Sequence, residues 1–241
     1  MRTLVIGDIH GGLRALQKVL QKVNPTTGDH FIFLGDYVDG WSEATETVSF
    51  LIHFSETHDC TFIRGNHDYL AYRYLKHGSK NSQWLTHGGA ATRDSYAALS
   101  SEEKEKHIQF YEGLINFHID EHNRLFVHAG FTNLKGPQHE HIADLVFWDR
   151  TLWEMAKSLD QTISKDSFRY PERLKLFSEI YIGHTALTKI GVTTPVNYGN
   201  LWNIDTGAAF TGPLTILDVD SKEFWQSEPV WQLYPDEHGR N

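Results

Sequence analysis

The sequence predicts an α/β fold: a layered α/β/β/α sandwich of two mixed sheets flanked by helices, with a helical insertion in the middle of one domain spanning residues 1–241. Three observations predict it. The first third alternates short β-rich runs with amphipathic segments, the middle carries helical periodicity, and strand-like runs return afterwards. Strand–helix–strand order favours parallel pairing with right-handed crossovers. At 241 residues the chain is long enough for one large core.

In order along the chain, residues 3–6 form an apolar run ending at Gly7, and Leu13, Leu16, Val19, Leu20 and Val23 then recur at helical spacing. A second run at 31–34 ends at Gly35, followed by a helical pattern through Ala44, Val48, Leu51, Ile52 and Phe54. A third, at 60–63, ends near Gly65 and is expected to hold Cys60 in the core. Helices are predicted over 84–99 and 102–115, the second capped by Ser100-Ser101 ahead of Glu102 and Glu103. Strands follow at 117–119, 125–127, 180–182, 201–204 and 214–219. The irregular stretch 131–179 reads as an excursion over a sheet face, where substrate contacts often lie.

Composition excludes several classes. A formal net charge of −9 gives no general attraction to nucleic acid or anionic membranes. The single cysteine cannot form an internal disulfide, and no run approaches the twenty apolar residues of a membrane span, so the chain reads as cytoplasmic. Any attraction for an anionic ligand must then be local, from bound metal or a few arginines.

The chemistry-bearing residues sit at strand ends. They are Gly7-Asp8-Ile9-His10-Gly11, Gly35-Asp36-Tyr37-Val38-Asp39-Gly40, Gly65-Asn66-His67-Asp68, Val127-His128-Ala129-Gly130 and Ile182-Gly183-His184-Thr185. Sites in α/β sheets assemble at the carboxyl ends of strands. Carboxylates, an amide oxygen and imidazoles without thiolates suit first-row divalent ions such as manganese, iron or zinc. His139-Glu140-His141 lacks the helix-face spacing of a zincin.

This ordered set resembles the calcineurin-like metallophosphoesterases, and more narrowly their phosphoprotein phosphatase branch, which includes bacteriophage lambda phosphatase and bacterial serine/threonine phosphatases. The resemblance runs from residue 3 to about residue 219. It implies two divalent ions, manganese first and iron or zinc as alternatives. Asp8 and His10 would ligate the first ion, Asp36 would bridge, and Asn66, His128 and His184 would complete the second site. It further implies in-line attack on a phosphate ester by a metal-bridging hydroxide, with His67 as general acid and Asp39 holding its imidazole. Arg150, in Trp148-Asp149-Arg150, would contact the substrate phosphate together with Asn66. The expected activity is that of a serine/threonine-type or broad-specificity phosphomonoesterase, whose partner is a phosphorylated protein or small phosphoester. A diadenosine tetraphosphate hydrolase, a phosphodiesterase and a catalytically decayed scaffold are the alternatives.

The pattern departs from the branch at one place. An arginine that clamps phosphate normally follows the second motif, and this chain has Gly40-Trp41 there. Trp41 or Tyr37 is expected to shape the vacated space for the leaving group, and Gly40→Arg to restore the clamp. Asp68 is expected to brace backbone, and Asp205 and Thr206 to support the site.

Overall fold

The computed structural model describes residues 1–240. Two five-stranded sheets face each other, in the orders β10-β9-β1-β2-β3 and β4-β5-β6-β8-β7. The first comprises β1 (Thr3–Ile6), β2 (His30–Phe33), β3 (Asp59–Phe62), β9 (Thr215–Asp218) and β10 (Phe224–Gln226). The second comprises β4 (Phe117–Ile119), β5 (Arg124–Val127), β6 (Glu179–Ile182), β7 (Val196–Tyr198) and β8 (Leu201–Asn203). Within them β1, β2 and β3 run parallel, as do β5, β6 and β8, and the flanking strands are antiparallel.

Strand alternation builds the layers, because successive side chains leave a strand on opposite faces. Val5, Ile32, Phe126, Tyr181 and Leu217 point between the sheets, with Phe126 and Tyr181 stacked at 5.0 Å. Leu4, Ile6, Phe31 and Phe33 point outward onto α1 (Leu13–Val23) and α2 (Ala44–Ser55). Leu125, Val127, Ile180 and Ile182 point outward onto the 131–179 stretch, through Phe131, Phe147, Leu152 and Trp153. That stretch is therefore the outer layer of the second sheet, and it contains α7 (Thr151–Lys157) and α8 (Glu172–Lys175). No helix among the described residues is long and apolar enough to cross a membrane.

Three expectations need correction. The edge strands β7 and β10 lie outside the runs expected as strands. Cys60 is half-buried rather than in the core, because β3 is the edge of its sheet and one flank has no neighbour. Its thiol is pushed up to about 12 by burial and then by Asp59, which disfavours the thiolate. Finally, the helix expected over 84–99 is three pieces: α4 (Ser82–Trp84), a π-helical turn (Leu85–Gly89) and α5 (Ala90–Ala97). The break falls at Gly88, whose φ of 102° and 2.9 Å clearance from Gly40 N leave no room for a side chain. By contrast, α6 (Ser101–Gly113) begins as expected: Ser100 Oγ accepts from Glu103 N and Glu103 Oε2 from Ser100 N, a reciprocal cap.

A partly buried ion pair ties the start of β1 to the turn before β2. Asp29 accepts from Arg2 Nη2 at 2.6 Å, Arg2 Nε at 3.1 Å and Thr26 N at 2.9 Å. The Arg2 guanidinium holds the Asp29 carboxyl well below the usual range. A carboxyl with a lowered folded pKa stabilises above its unfolded pKa of about 3.9 and loses that stability as pH falls. Asp29→Asn should therefore cost about 2 kcal/mol at pH 7, a fall of roughly 4–8 °C in melting temperature. Thermal denaturation should show the gap narrowing below about pH 4; a gap independent of pH would contradict this role.

Candidate active site

The loops after β1, β2, β5 and β6, together with the first turn of α3 (Asn66–His77) after β3, meet at one rim. They bring Asp8, His10, Asp36, Asn66, His67, His128 and His184 together. Ligand atoms of Asp8, His10 and Asp36 all lie within 4.8 Å of one another, and so do those of Asp36, His128 and His184. Asp36 belongs to both groups: its Oδ2 lies 3.6 Å from His10 Nε2 and 3.4 Å from His128 Nε2. Asn66 Oδ1 is 3.2 Å from His128 Nε2.

Local backbone explains the glycine-rich motifs. His10, Asp36, Asp39 and His184 all have φ between 54° and 72°, a region costly for residues with a Cβ. Such strain survives only where surrounding structure fixes it. Asp68 supplies part of that: its buried carboxylate accepts from Asp36 N, Tyr37 N and Gly65 N at 2.7–2.8 Å, the bracing role expected for it. Gly183 is required because a Cβ there would lie 2.0 Å from Asp8 Oδ1.

The donor set fits divalent cations. His10 Nδ1 donates to Asp39 O at 2.7 Å and His128 Nδ1 donates to Leu34 O at 2.8 Å, so each ring turns Nε2 toward the cluster. Asp8 Oδ1 and His184 Nε2 are buried with no hydrogen-bond partner. Burial, then Asp205, pushes the Asp8 carboxyl well up. Burial also acts against the Asp36 carboxylate and the His128 imidazolium. Their attraction overrides it, holding Asp36 well down and raising His128 to about 10. A proton on His128 thus stands where a cation would relieve the same crowding of charge.

Beside these groups, His67 Nδ1 pairs with the buried Asp39 Oδ2 at 2.7 Å. Thr92 Oγ1 donates to Asp39 Oδ1 at 2.6 Å, and Trp84 Nε1 donates to its Oδ2. Neither Trp84 nor Thr92 was foreseen. Both come from the middle insertion, where nothing in the local sequence distinguishes them from packing residues.

A cavity of about 330 Å³ opens above the cluster, with His10, Asp36, Asn66, His67 and His184 in its wall. Asp149 Oδ2 accepts from Leu152 N and Oδ1 from Thr151 N, which caps α7 and leaves Arg150 at the cavity with its Nη1 3.4 Å from Thr185 Oγ1. Trp148, Lys189, Asp205, Phe210 and Arg240 also line the cavity. Asp205 lines the cavity while its Oδ1 accepts from Gly207 N, whereas Thr206 Oγ1 donates to Pro213 O inside the fold. Arg64 turns away, toward Asn116 and Leu114 O.

The expectation for Trp41 and Tyr37 is overturned. Both are fully buried: Trp41 Nε1 donates to Ala208 O at 2.8 Å and Tyr37 Oη donates to Ile63 O at 2.7 Å. With their polar tips satisfied inside the first core, neither reaches a leaving group. Gly40→Arg is corrected too. At φ 143° Gly40 is a strained position for any L side chain, and a Cβ there would press on His10 O at 3.1 Å and His10 Cβ at 3.3 Å, with the Arg240 side chain 3.5 Å away.

The calcineurin-like phosphoesterase family model matches residues 1–202. The asymmetrical bis(5'-nucleosyl)-tetraphosphatase PrpE of Oceanobacillus iheyensis is 27% identical over 239 residues, covering 93% of this chain and 91% of that protein. Among solved structures, a protein provisionally assigned as a diadenosine tetraphosphatase superposes with a TM-score of 0.62 at 15% identity, over 93% of this chain and 92% of that one. A serine/threonine phosphatase from Saccharomyces cerevisiae superposes with a TM-score of 0.57 at 16% identity, over 95% and 83% of the two chains. At such identities the superpositions show the shared fold.

Proposed function

We propose that this chain, which belongs to the calcineurin-like phosphoesterase family, is a dinuclear metal-dependent phosphomonoesterase of serine/threonine-type or broad specificity. The observation that carries this reading is the buried Asp39–His67 pair opening onto the cavity beside the two carboxylate–imidazole groups. An alkoxide leaving group needs a proton, which a positioned imidazole can supply.

Asp8, His10, Asp36, Asn66, His128 and His184 would hold two cations, with manganese the first candidate. The cations would supply charge for the phosphoryl oxygens and activation of the attacking water. Asp39, fixed by Thr92 and Trp84, keeps the proton of His67 on Nδ1 and the ring in one orientation, leaving Nε2 to exchange a proton with the leaving oxygen. Arg150 and Asn66, both in the cavity wall, would hold the phosphoryl oxygens.

A second reading, hydrolysis of a dinucleoside polyphosphate, has support from the name of the PrpE relative and from Trp148, 44% exposed next to Arg150, where a base could stack. A substrate panel on manganese-loaded protein separates the two. Turnover of an aryl phosphate and a phosphopeptide ahead of diadenosine tetraphosphate is expected. The reverse order would transfer the assignment to the second reading, and turnover of none with metal bound would leave a scaffold.

A further inference from the structure

We infer that Arg240 is the phosphate-binding cation that replaces the arginine missing after Asp39, carried into the cavity by the segment that follows β10. The inference rests on the reading of the cavity as a phosphoryl site.

The side chain of Arg240 occupies the slot that Gly40 leaves open. Its Cγ lies 3.5 Å from where a Gly40 Cβ would be and 3.1 Å from where a Gly88 Cβ would be, so two bare backbones form its channel. The guanidinium reaches the cavity wall over the Phe210 ring, 5.4 Å from its centroid. Nε is buried without a hydrogen-bond partner, and the Asp205 carboxylate, which shares the cavity wall, feels the charge of the group without forming a direct ion pair among the described residues. A guanidinium at the cavity wall with a buried, unspent Nε–H is suited to a tetrahedral oxyanion.

The residues that stand where the family clamp would be also explain how Arg240 is delivered. Trp41 stacks on Tyr234 at 5.1 Å, and Tyr234 Oη donates to Glu43. Ser42 N and Oγ donate to the Glu237 carboxylate at 2.9 and 2.7 Å. Gly239, at φ 59°, fits against the Trp41 ring, where a Cβ would come within 2.7 Å, and Arg240 N donates to Ala209 O at 2.9 Å. Trp41, Ser42 and Glu43 thus form a dock for 234–240. The residues that follow Gly40, where the resemblance would place the clamp arginine, hold the segment that carries Arg240.

The test is calorimetric titration of inorganic phosphate into the full, manganese-loaded chain, run beside aryl phosphate kinetics, metal analysis and thermal melting. Arg240→Ala should weaken phosphate binding and raise KM about 10–100-fold, the loss of one charge-assisted contact pair, with kcat less affected and metal content unchanged. Arg240→Lys should recover part of the affinity. Phosphate affinity of Arg240→Ala within about twofold of wild type would overturn the inference, whether or not melting temperature falls, since stacking on Phe210 alone would account for the latter. Failure of the wild type to bind phosphate would also overturn it. A wild type that binds phosphate through Arg240 but hydrolyses no ester would instead remove the functional reading.

Discussion

His67→Asn is expected to lower kcat for an alkyl phosphate about 10²–10⁴-fold, the usual contribution of a general acid. The effect on an aryl phosphate should be far smaller, because a nitrophenolate leaves without a proton. Asparagine can still donate its amide N–H to Asp39, so the network with Thr92 and Trp84 keeps a partner, but it has no ionisable proton to transfer to the leaving group. Bound metal, measured by elemental analysis, should not change, since His67 belongs to neither group of clustered carboxylates and imidazoles. Metal loss in this variant, or equal slowing of both substrates, would show that His67 acts in another role.

Asp36→Ala should have a larger effect on metal than any other single change. Its carboxylate is the only residue shared by the two groups, and it also accepts from His67 N at 2.9 Å. Removing an outer partner of a metal ligand typically costs about 10–100-fold in affinity, and removing the shared ligand should exceed that at both positions. Loss of activity with both metal equivalents gone after mild chelation is the expected result. Two equivalents retained would place the cations elsewhere.

The part of the site built by local backbone chemistry was readable in sequence. A strand that must end, turn through a positive-φ residue and let a carboxylate approach a neighbouring loop needs glycine and short polar residues at fixed offsets; Gly183 against Asp8 is one instance. The same logic exposed the parallel strands, whose apolar runs end at those glycines. What escaped notice depends on tertiary contact. Thr92 and Trp84 reach Asp39 from 53 and 45 residues away, and Arg240 reaches the slot at Gly40 from a segment with no motif. Trp41 misled because its neighbours in sequence are site residues, while its ring packs against Tyr234 in the core. His87-Gly88-Gly89 offered a turn in sequence, but the close approach of Gly88 to the backbone of Gly40 is again a tertiary contact.

Anomalous diffraction from manganese-loaded crystals tests the central claim most directly. The account predicts two peaks, one against Asp8 and His10, the other against Asn66, His128 and His184, both in contact with Asp36. A single peak, or peaks away from Asp36, would contradict it.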